Sequence, residues 1–395
     1  MLCLIKAIEL SDNVLVVNKG KFMQIKQRNY FQSLESLRGI AALIVVLYHV
    51  GWMYPLYDIG FIRNGALMVD LFFVLSGFVM VHCYREYFFE NNGLLKFLKA
   101  RFWRLYPLHL LMLFVFLGIE LIKYVAELKF GIVSGSPAFV KSNWESFSYQ
   151  IFLLHSLVQE HGSFNSPSWS ISTEFYTYIV FAFIMINVRK YNLLPLIFIG
   201  VAGVSLFIIL NNGHDSLTFD YQDSIFRCFY GFFIGAFTYE VYQKTLNRPF
   251  IKNNFIGSIC FIFIFIISIY ILGIKHDNYI EFLTPFLFSF LILTLVFFPK
   301  NACHKALCWM PFQWLGKVSY SIYMIHMAYI WVFSAALQAV MKVPKGTVDG
   351  DEVIMTSMLF GSIVTFLLII CILGTSYFTF KYIEDPFRKF AKRVK

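Results

Sequence analysis

Charged residues are scarce in this chain. Only 14% of its 395 residues are Asp, Glu, Lys or Arg, 58% are hydrophobic, and the mean hydropathy is +0.66. A soluble domain has about 25% charged residues and roughly 45–50% apolar ones. The composition excludes an ordinary soluble enzyme and predicts an all-α, multi-span membrane protein. A net charge of +10 would suggest nucleic acid in a soluble protein. In the short loops of a membrane protein, positive charge instead marks the cytoplasmic side of the membrane. We therefore predict no nucleic-acid partner.

Several motifs of soluble catalysis are also missing. The sequence has no P-loop, GxGxxG, HExxH or GxSxG motif, which argues against an ATP-driven pump, a Rossmann enzyme and an ordinary serine hydrolase. None of the seven cysteines forms a CxxC pair, and the spacing of Cys303, His304 and Cys308 matches no zinc pattern. We therefore predict no metal site and expect the cysteines to be reduced, buried side chains.

Long apolar runs fill most of the chain and predict ten transmembrane helices. They lie near residues 37–54, 66–84, 105–125, 169–188, 193–211, 222–243, 254–273, 280–298, 314–340 and 353–381. If the N-terminus is cytoplasmic, the basic residues fall in cytoplasmic loops, as the positive-inside rule requires, and both termini are cytoplasmic. The basic residues concerned are Lys96, Lys99, Arg101, Arg104, Arg189, Lys190, Lys244, Arg248, Lys252, Lys300, Lys305 and those of the tail after Lys381.

The chain divides into three predicted regions. Residues 1–30 form a cytoplasmic N-terminal segment, for which Met23 is an alternative start, residues 31–388 form the transmembrane domain, and residues 389–395 form a basic tail. The outer connection 126–168 contains an apolar stretch, 149–158, that is too short to span. We expect it to lie in the interface or to re-enter the membrane.

The first apolar run carries two polar residues, Arg38 and His49. Eleven residues make three helical turns plus ~20°, so both side chains share one face, ~16 Å apart along the axis. A cation near one surface and an imidazole deep in the membrane favour a functional interpretation. The arginine would meet an anionic group, and the histidine would transfer protons. The alternative is a snorkelling arginine and a histidine hydrogen-bonded between helices.

Asp70 and Glu174 are carboxylates inside predicted spans, where each needs a partner or a water-filled cavity. Asp70 is expected at the depth of His49 and would orient its imidazole. The alternative is a helix N-terminal carboxylate that the dipole favours. Arg227 is a candidate counter-charge for either carboxylate. Glu174 belongs to a polar run, Asn165–Tyr176, that opens the fourth span. The alternative there is helix capping with interhelical hydrogen bonds.

Arg101 and Arg104 lie three residues apart at the start of the third span and share a helix face. Arginine recognises phosphate bidentately, and the alternative is ordinary positive-inside charge. Tyr320, Tyr323 and His326 share one face of a later span. We expect His326 to be a hydrogen-bonding core residue there rather than a catalyst.

Several of these stretches resemble, in order, the bacterial acyltransferase-3 family of integral-membrane O-acyltransferases. The resemblance covers Leu34 to about Arg388. It is carried by the R-x10-H pair Arg38/His49, VDLFFVLSGF (69–78), ARFWRLYP (100–107), PSWSISTEFYTY (167–178), the span 227–235, GKVSYSIYMIH (316–326) and Glu384–Pro386.

The resemblance implies a multi-pass protein of a bacterial cytoplasmic membrane. It also implies a cytoplasmic acyl-CoA donor, usually acetyl-CoA, and a glycan or glycolipid acceptor, with a catalytic role for His49 and a donor-binding role for Arg38. Some family members add an SGNH domain after the last span, whereas we expect this chain to act as a stand-alone membrane domain. The oligomeric state is not assigned.

The resulting hypothesis is an O-acyltransferase. Arg38, Arg101 and Arg104 would bind the phosphates of acyl-CoA, and His49 would be the general base. Asp70 and Glu174 complete the predicted catalytic set. The candidates for oxyanion or acceptor binding are Asn165, Ser168, Trp169 and Ser172. The alternative is a transporter or flippase of a carbohydrate or lipid intermediate, although the two halves of the chain show no matching interrupted helices.

Overall fold

The computed structural model describes residues 15–18, 21–24, 31–89, 92–131, 136–188, 191–246, 253–274 and 279–393. Some of the predicted features lie outside the described residues. They are most of the N-terminal segment 1–30, the basic residues Arg189, Lys190, Arg248 and Lys252, and the last two residues of the tail.

Helices make up almost all of the described chain. The α-helices are α1 (Gln32–Tyr48), α2 (Gly60–Arg63), α3 (Met68–Tyr84), α4 (Gly93–Phe130), α5 (Trp144–Ile151), α6 (His155–Val158), α7 (Trp169–Asn187), α8 (Leu194–Asn211), α9 (Ser224–Thr245), α10 (Asn254–Gly273), α11 (Thr284–Phe297), α12 (Ala302–Leu307), α13 (Met310–Ala335), α14 (Met358–Thr379) and α15 (Asp385–Arg393). Two antiparallel hairpins pair β1 (Leu15–Asn18) with β2 (Lys21–Gln24) and β3 (Lys345–Val348) with β4 (Asp351–Ile354). A π-helical turn, Phe380–Glu384, joins α14 to α15.

Eight helical stretches among the described residues are long and apolar enough to cross a membrane, which confirms the predicted all-α membrane protein. Of the other two predicted spans, 37–54 is helical only up to Tyr48, whereas 222–243 coincides with a helix. The first of these helices, α1, has 17 residues, and α9 has 22 residues that include Arg227, Glu240 and Lys244. The count of ten spans and the cytoplasmic termini remain predictions.

Glycines let two pairs of helices approach to backbone contact. A Cβ at Gly77 of α3 would lie 1.8 Å from a carbonyl oxygen of α9, and one at Gly235 of α9 would lie 1.9 Å from a carbonyl oxygen of α3. Gly39 of α1 and Gly316 of α13 meet in the same way. Small residues permit this approach where lipid gives no hydrophobic drive for helix association. The central helices α1, α3, α9 and α13 are paired through these contacts.

The outer connection folds back into the protein. The apolar stretch 149–158 forms the end of α5 and the whole of α6, and α6 packs against α7 and α9. Gln150 and His155 are completely buried. Burial lowers the pKa of His155 to about 3, so its imidazole is neutral at physiological pH. The stretch therefore forms two short helices rather than a span, with one side buried and with Phe152 and Val158 exposed on the other. We call it the buried segment after its inner side.

The β3–β4 hairpin holds the backbone that follows His49. The Ile354 amide donates to the Gly51 carbonyl (3.0 Å), and the Met53 amide donates to the Ile354 carbonyl (3.1 Å). The Thr356 hydroxyl donates to the Met53 carbonyl (2.6 Å). The end of α1 that carries His49 is thus joined to the end of β4.

Gly235→Ala should destabilise the protein because the added methyl group would push against the α3 backbone. Overpacking of this kind costs about 1–3 kcal/mol. Gly200→Ala in α8 is the matched control, since nothing lies within 4 Å of a Cβ at that position and a helix prefers alanine to glycine. Thermal unfolding of both purified variants in one detergent measures the difference. Equal unfolding temperatures would contradict the close α3–α9 contact.

Candidate active site

A cavity opens between α1, α3, α4, α7 and α13, and the empty space within it, including the open solvent at its mouth, is about 870 Å³. Its walls are largely apolar, and its charged and polar lining residues are Glu35, Arg38, Ser76, Arg101, Arg104, Ser170, Glu174, Tyr178, Ser319, Tyr320 and Tyr323. Small-molecule sites typically combine such walls with a few convergent polar groups. The cavity brings together four predicted site residues, Arg38, Arg101, Arg104 and Glu174. We call the end of the bundle where these arginines lie the arginine end.

Arg101 is held by aromatic side chains. It is 1% exposed, donates to the Tyr84 hydroxyl at 2.8 Å, and lies 5.2 Å and 5.8 Å from the ring centres of Tyr84 and Tyr178. Cation–π contacts offset part of the cost of burying a guanidinium group. Its Nε has no hydrogen-bond partner among the described residues. Arg101 therefore keeps donor capacity beside the cavity.

Glu174 supplies negative charge to the same cavity. Its Oε1 accepts hydrogen bonds from the Ser76 hydroxyl at 2.7 Å and from the Tyr178 hydroxyl at 2.5 Å. Arg38 experiences the charges of Glu174, Glu35 and Arg104. Of the alternative explanation of this run, the helix-capping part is wrong, because the side chains of Asn165 and Ser168 make no capping hydrogen bond. Its interhelical hydrogen bonds are present, for example between Ser170 and Tyr323 at 2.8 Å.

His49 ends α1 and is partly exposed. Its Nδ1 lies 2.9 Å from the carbonyl oxygen of Val45. Because a carbonyl can only accept, the neutral imidazole donates through Nδ1–H and its Nε2 carries the lone pair. The His49 ring lies 5.0 Å from that of His326 and 4.7 Å from that of Tyr48. A backbone carbonyl thus selects the tautomer in which Nε2 can act as a base.

Asp70 does not orient His49, so that prediction is wrong. Its Oδ1 and Oδ2 accept from Arg227 Nε at 3.1 Å and Nη2 at 2.8 Å, and both residues are at most 1% exposed. This bidentate geometry occupies both carboxylate oxygens, and no hydrogen bond joins Asp70 to His49 in the described part of the chain. Of the two counter-charges considered for Arg227, the structure confirms Asp70. Asp70 also lies in the first turn of α3, as its alternative interpretation expected.

Ser168 and Ser172 hold the buried segment in place, which corrects their predicted oxyanion role. The Ser168 hydroxyl lies 3.2 Å from Gln150 Oε1 and 3.1 Å from His155 Nε2. The Ser172 hydroxyl donates to the Leu153 carbonyl. Their protons are therefore committed to structural acceptors, and neither residue lines the cavity.

Asn165 and Trp169 are not among the residues that line the cavity either. Asn165 Nδ2 donates to the Met324 carbonyl at 2.9 Å. The Arg227 guanidinium lies 5.1 Å from the ring centre of Trp169. Their predicted oxyanion or acceptor-binding roles stay predictions.

His326 lies closer to the candidate site than its sequence context indicated. It is completely buried, its Nδ1 lies 2.6 Å from the Tyr323 carbonyl, and its Nε2 has no hydrogen-bond partner within the described ranges. Its ring centre is 5.8 Å from that of Tyr323, which lines the cavity. In the sequence, this position is indicated by the helix face that His326 shares with Tyr320 and Tyr323. We call the region around His49 and His326 the histidine end.

These features define a helical membrane protein with a charged internal cavity. The sequence profile described as "Acyltransferase domain" matches residues 31–377. The chain belongs to the acyltransferase-3 family. No three His, Cys, Asp or Glu side chains meet as a metal site would require in the part of the chain that the structure describes.

Curated relatives extend the comparison. A Staphylococcus aureus (strain COL) protein provisionally named an O-acetyltransferase is 26% identical over 94% of this chain, and YrhL of Bacillus subtilis (strain 168), provisionally named a peptidoglycan O-acetyltransferase, is also 26% identical over 94%. The chain spans 60% and 58% of the lengths of these two relatives. Protein 2 of the picA locus of Rhizobium radiobacter is 32% identical over 38% of this chain and 81% of its own length. No solved structure matches.

Asp70→Asn should lower the thermal stability strongly, because Arg227 would stay buried without a counter-charge. Removing one partner of a buried ion pair costs about 3–5 kcal/mol. Glu352→Gln is the control: it removes half of the exposed Lys345–Glu352 pair, worth about 0–1 kcal/mol. Thermal unfolding and the yield of monodisperse protein measure both variants. An Asp70→Asn protein that unfolds like the wild type but has altered activity would restore the orienting role.

Proposed function

We propose that the protein is a membrane O-acyltransferase that transfers an acyl group, normally acetyl, from acyl-CoA to a hydroxyl of a glycan or glycolipid. The observation that supports this proposal most strongly is that one cavity is lined by Arg38, Arg101, Arg104 and Glu174. The chain that forms this cavity belongs to the acyltransferase-3 family. The provisional names of the relatives, one of them for peptidoglycan, support this acceptor class. We place the protein in a bacterial cytoplasmic membrane with the arginine end in the cytoplasm, where acyl-CoA is found.

The donor would bind at the arginine end. Acyl-CoA carries phosphates on a long, thin pantetheine arm, and guanidinium groups bind phosphate oxygens in a bidentate manner. Arg101, whose Nε has no partner among the described residues, and Arg104 would hold the phosphates with Arg38. The arm would then run through the cavity toward Tyr323 and His326.

His49 would carry out the proton transfers at the other end of this path. The acceptor hydroxyl would give its proton to Nε2 while its oxygen attacks the thioester carbonyl. The tetrahedral intermediate would collapse by breaking the carbon–sulfur bond, and the imidazolium would return the proton to the departing thiolate. General base catalysis of this kind contributes ~10²–10⁴-fold. The Val45 carbonyl, which accepts from Nδ1, would hold the ring through both transfers.

His49→Gln should abolish most of the activity because it removes the base without adding charge. The assay follows release of the CoA thiol from acetyl-CoA by purified protein in nanodiscs, with and without a bacterial surface-glycan fraction. We expect glycan-dependent release to fall ~10²-fold or more. The exposed loop residue His161 provides the control variant, His161→Gln, which should keep wild-type rates.

Two results would overturn this proposal. Equal release by wild type and His49→Gln would remove His49 from the mechanism. Absence of thiol release by the wild type, together with failure to bind labelled acetyl-CoA, would favour a transporter.

A further inference from the structure

Arg388 is a buried cation that none of the interactions above explains. Only 5% of it is exposed, and its Nη1 has no hydrogen-bond partner in the described part of the chain. The guanidinium lies 5.9 Å from the ring centre of Phe380. A buried donor of a charged group is costly unless it is paired, so the unpaired Nη1 of Arg388 suits an additional anion.

The C-terminal helix α15 turns Arg388 inward. The same helix docks on α4: Phe387 stacks on Trp103 at 5.5 Å with an interplanar angle of 6°, and Phe390 contacts the same ring at 5.2 Å. Lys389, which pairs with Asp385, faces solvent. Trp103 directly precedes Arg104. Docking of α15 on this tryptophan therefore places Arg388 beside the arginine end of the cavity.

The π-helical turn Phe380–Glu384 sets the register of this helix. It adds a residue to the last turn of α14, a distortion often found at functional sites. Glu384, which is 3% exposed, accepts a hydrogen bond from the Ser321 hydroxyl. Because Arg388 follows Glu384 by four residues, the two side chains share a helix face. The carboxylate and the guanidinium thus both turn into the protein.

The charges around Arg388 leave room for an anion. Those that act on it are Arg104, Glu384, Glu35 and Asp385. The charged residues of the arginine end and its neighbourhood, apart from the solvent-facing Asp385–Lys389 pair, are Arg38, Arg101, Arg104, Arg388, Glu35, Glu174 and Glu384. The arginines outnumber the carboxylates by one in this set. Two of the residues that act on Arg388, Glu35 and Arg104, line the cavity itself.

We propose that Arg388 binds a phosphate group of the acyl donor and that α15 is a wall of the donor site. This inference rests on the proposed function, because it takes acyl-CoA as the donor. Arg388 belongs to α15, whereas Arg101 and Arg104 belong to α4, on which α15 packs. Each guanidinium group binds phosphate oxygens bidentately, so arginines on two helices can contact the phosphates of one donor together.

Arg388→Gln tests the inference with two donors, acetyl-CoA and S-acetylpantetheine, which lacks the nucleotide and all its phosphates. We expect the KM for acetyl-CoA to rise about tenfold to a hundredfold, as for loss of a charged hydrogen bond. The KM for S-acetylpantetheine should stay at the wild-type value. Lys389→Gln, on the exposed face of α15, is the matched control and should change neither value.

If Arg388 had only a structural role, the Gln variant would react equally poorly with both donors. Either that result or unchanged kinetics would overturn the inference. If the Gln variant does not fold, Arg388→Lys keeps the charge without the planar fork and should raise the KM for acetyl-CoA alone. Failure of the wild type to use or bind either donor would instead refute the proposed function. A working wild type with an unaffected variant would refute only the role of Arg388.

Discussion

The buried ion pair between Asp70 and Arg227 is the interaction on which the helix arrangement depends. A guanidinium group in a membrane helix must find a counter-charge within the protein, and here the partner lies 157 residues earlier in the sequence. The pair joins α3 to α9, and Gly77 and Gly235 let the same two helices meet at backbone distance. Because a buried pair contributes little net stability, we infer that its main effect is to select one register of α3 against α9.

That register determines the cavity. With α3 fixed against α9, its other face presents Ser76 to Glu174 of α7 and lines the cavity opposite α4 and α13. A slip of one residue along α3 would rotate its side chains by about 100° and would remove Ser76 from the carboxylate. The arrangement of charged side chains in the cavity thus depends on the packing of α3 against α9, which lies outside the cavity.

The charged residues that line the cavity could be predicted better than the partners with which charged and polar side chains pair. Arg38, Arg101, Arg104 and Glu174 could be selected from sequence because charges inside apolar runs are few and costly. The pairing of the charges could not be predicted, because both His49 and Arg227 were plausible partners of Asp70. The close approach of α3 and α9 decides between them. Ser168 and Ser172 were misjudged because their acceptors belong to a buried segment whose fold has no periodic signature. Arg388 resembled ordinary tail charge until the docking of Phe387 on Trp103 was visible.

The separation of the arginines from the imidazoles has an electrostatic consequence for the proposed reaction. A base that becomes an imidazolium is disfavoured by nearby cations. At an effective dielectric constant of ~20, two positive charges ~4 Å apart repel by about 4 kcal/mol, and ~16 Å apart by about 1 kcal/mol. The separation of eleven positions between Arg38 and His49 corresponds to the larger distance along the helix. The phosphates can therefore be neutralised by several arginines while His49 remains able to accept a proton, provided that the donor carries its thioester on a long, uncharged arm.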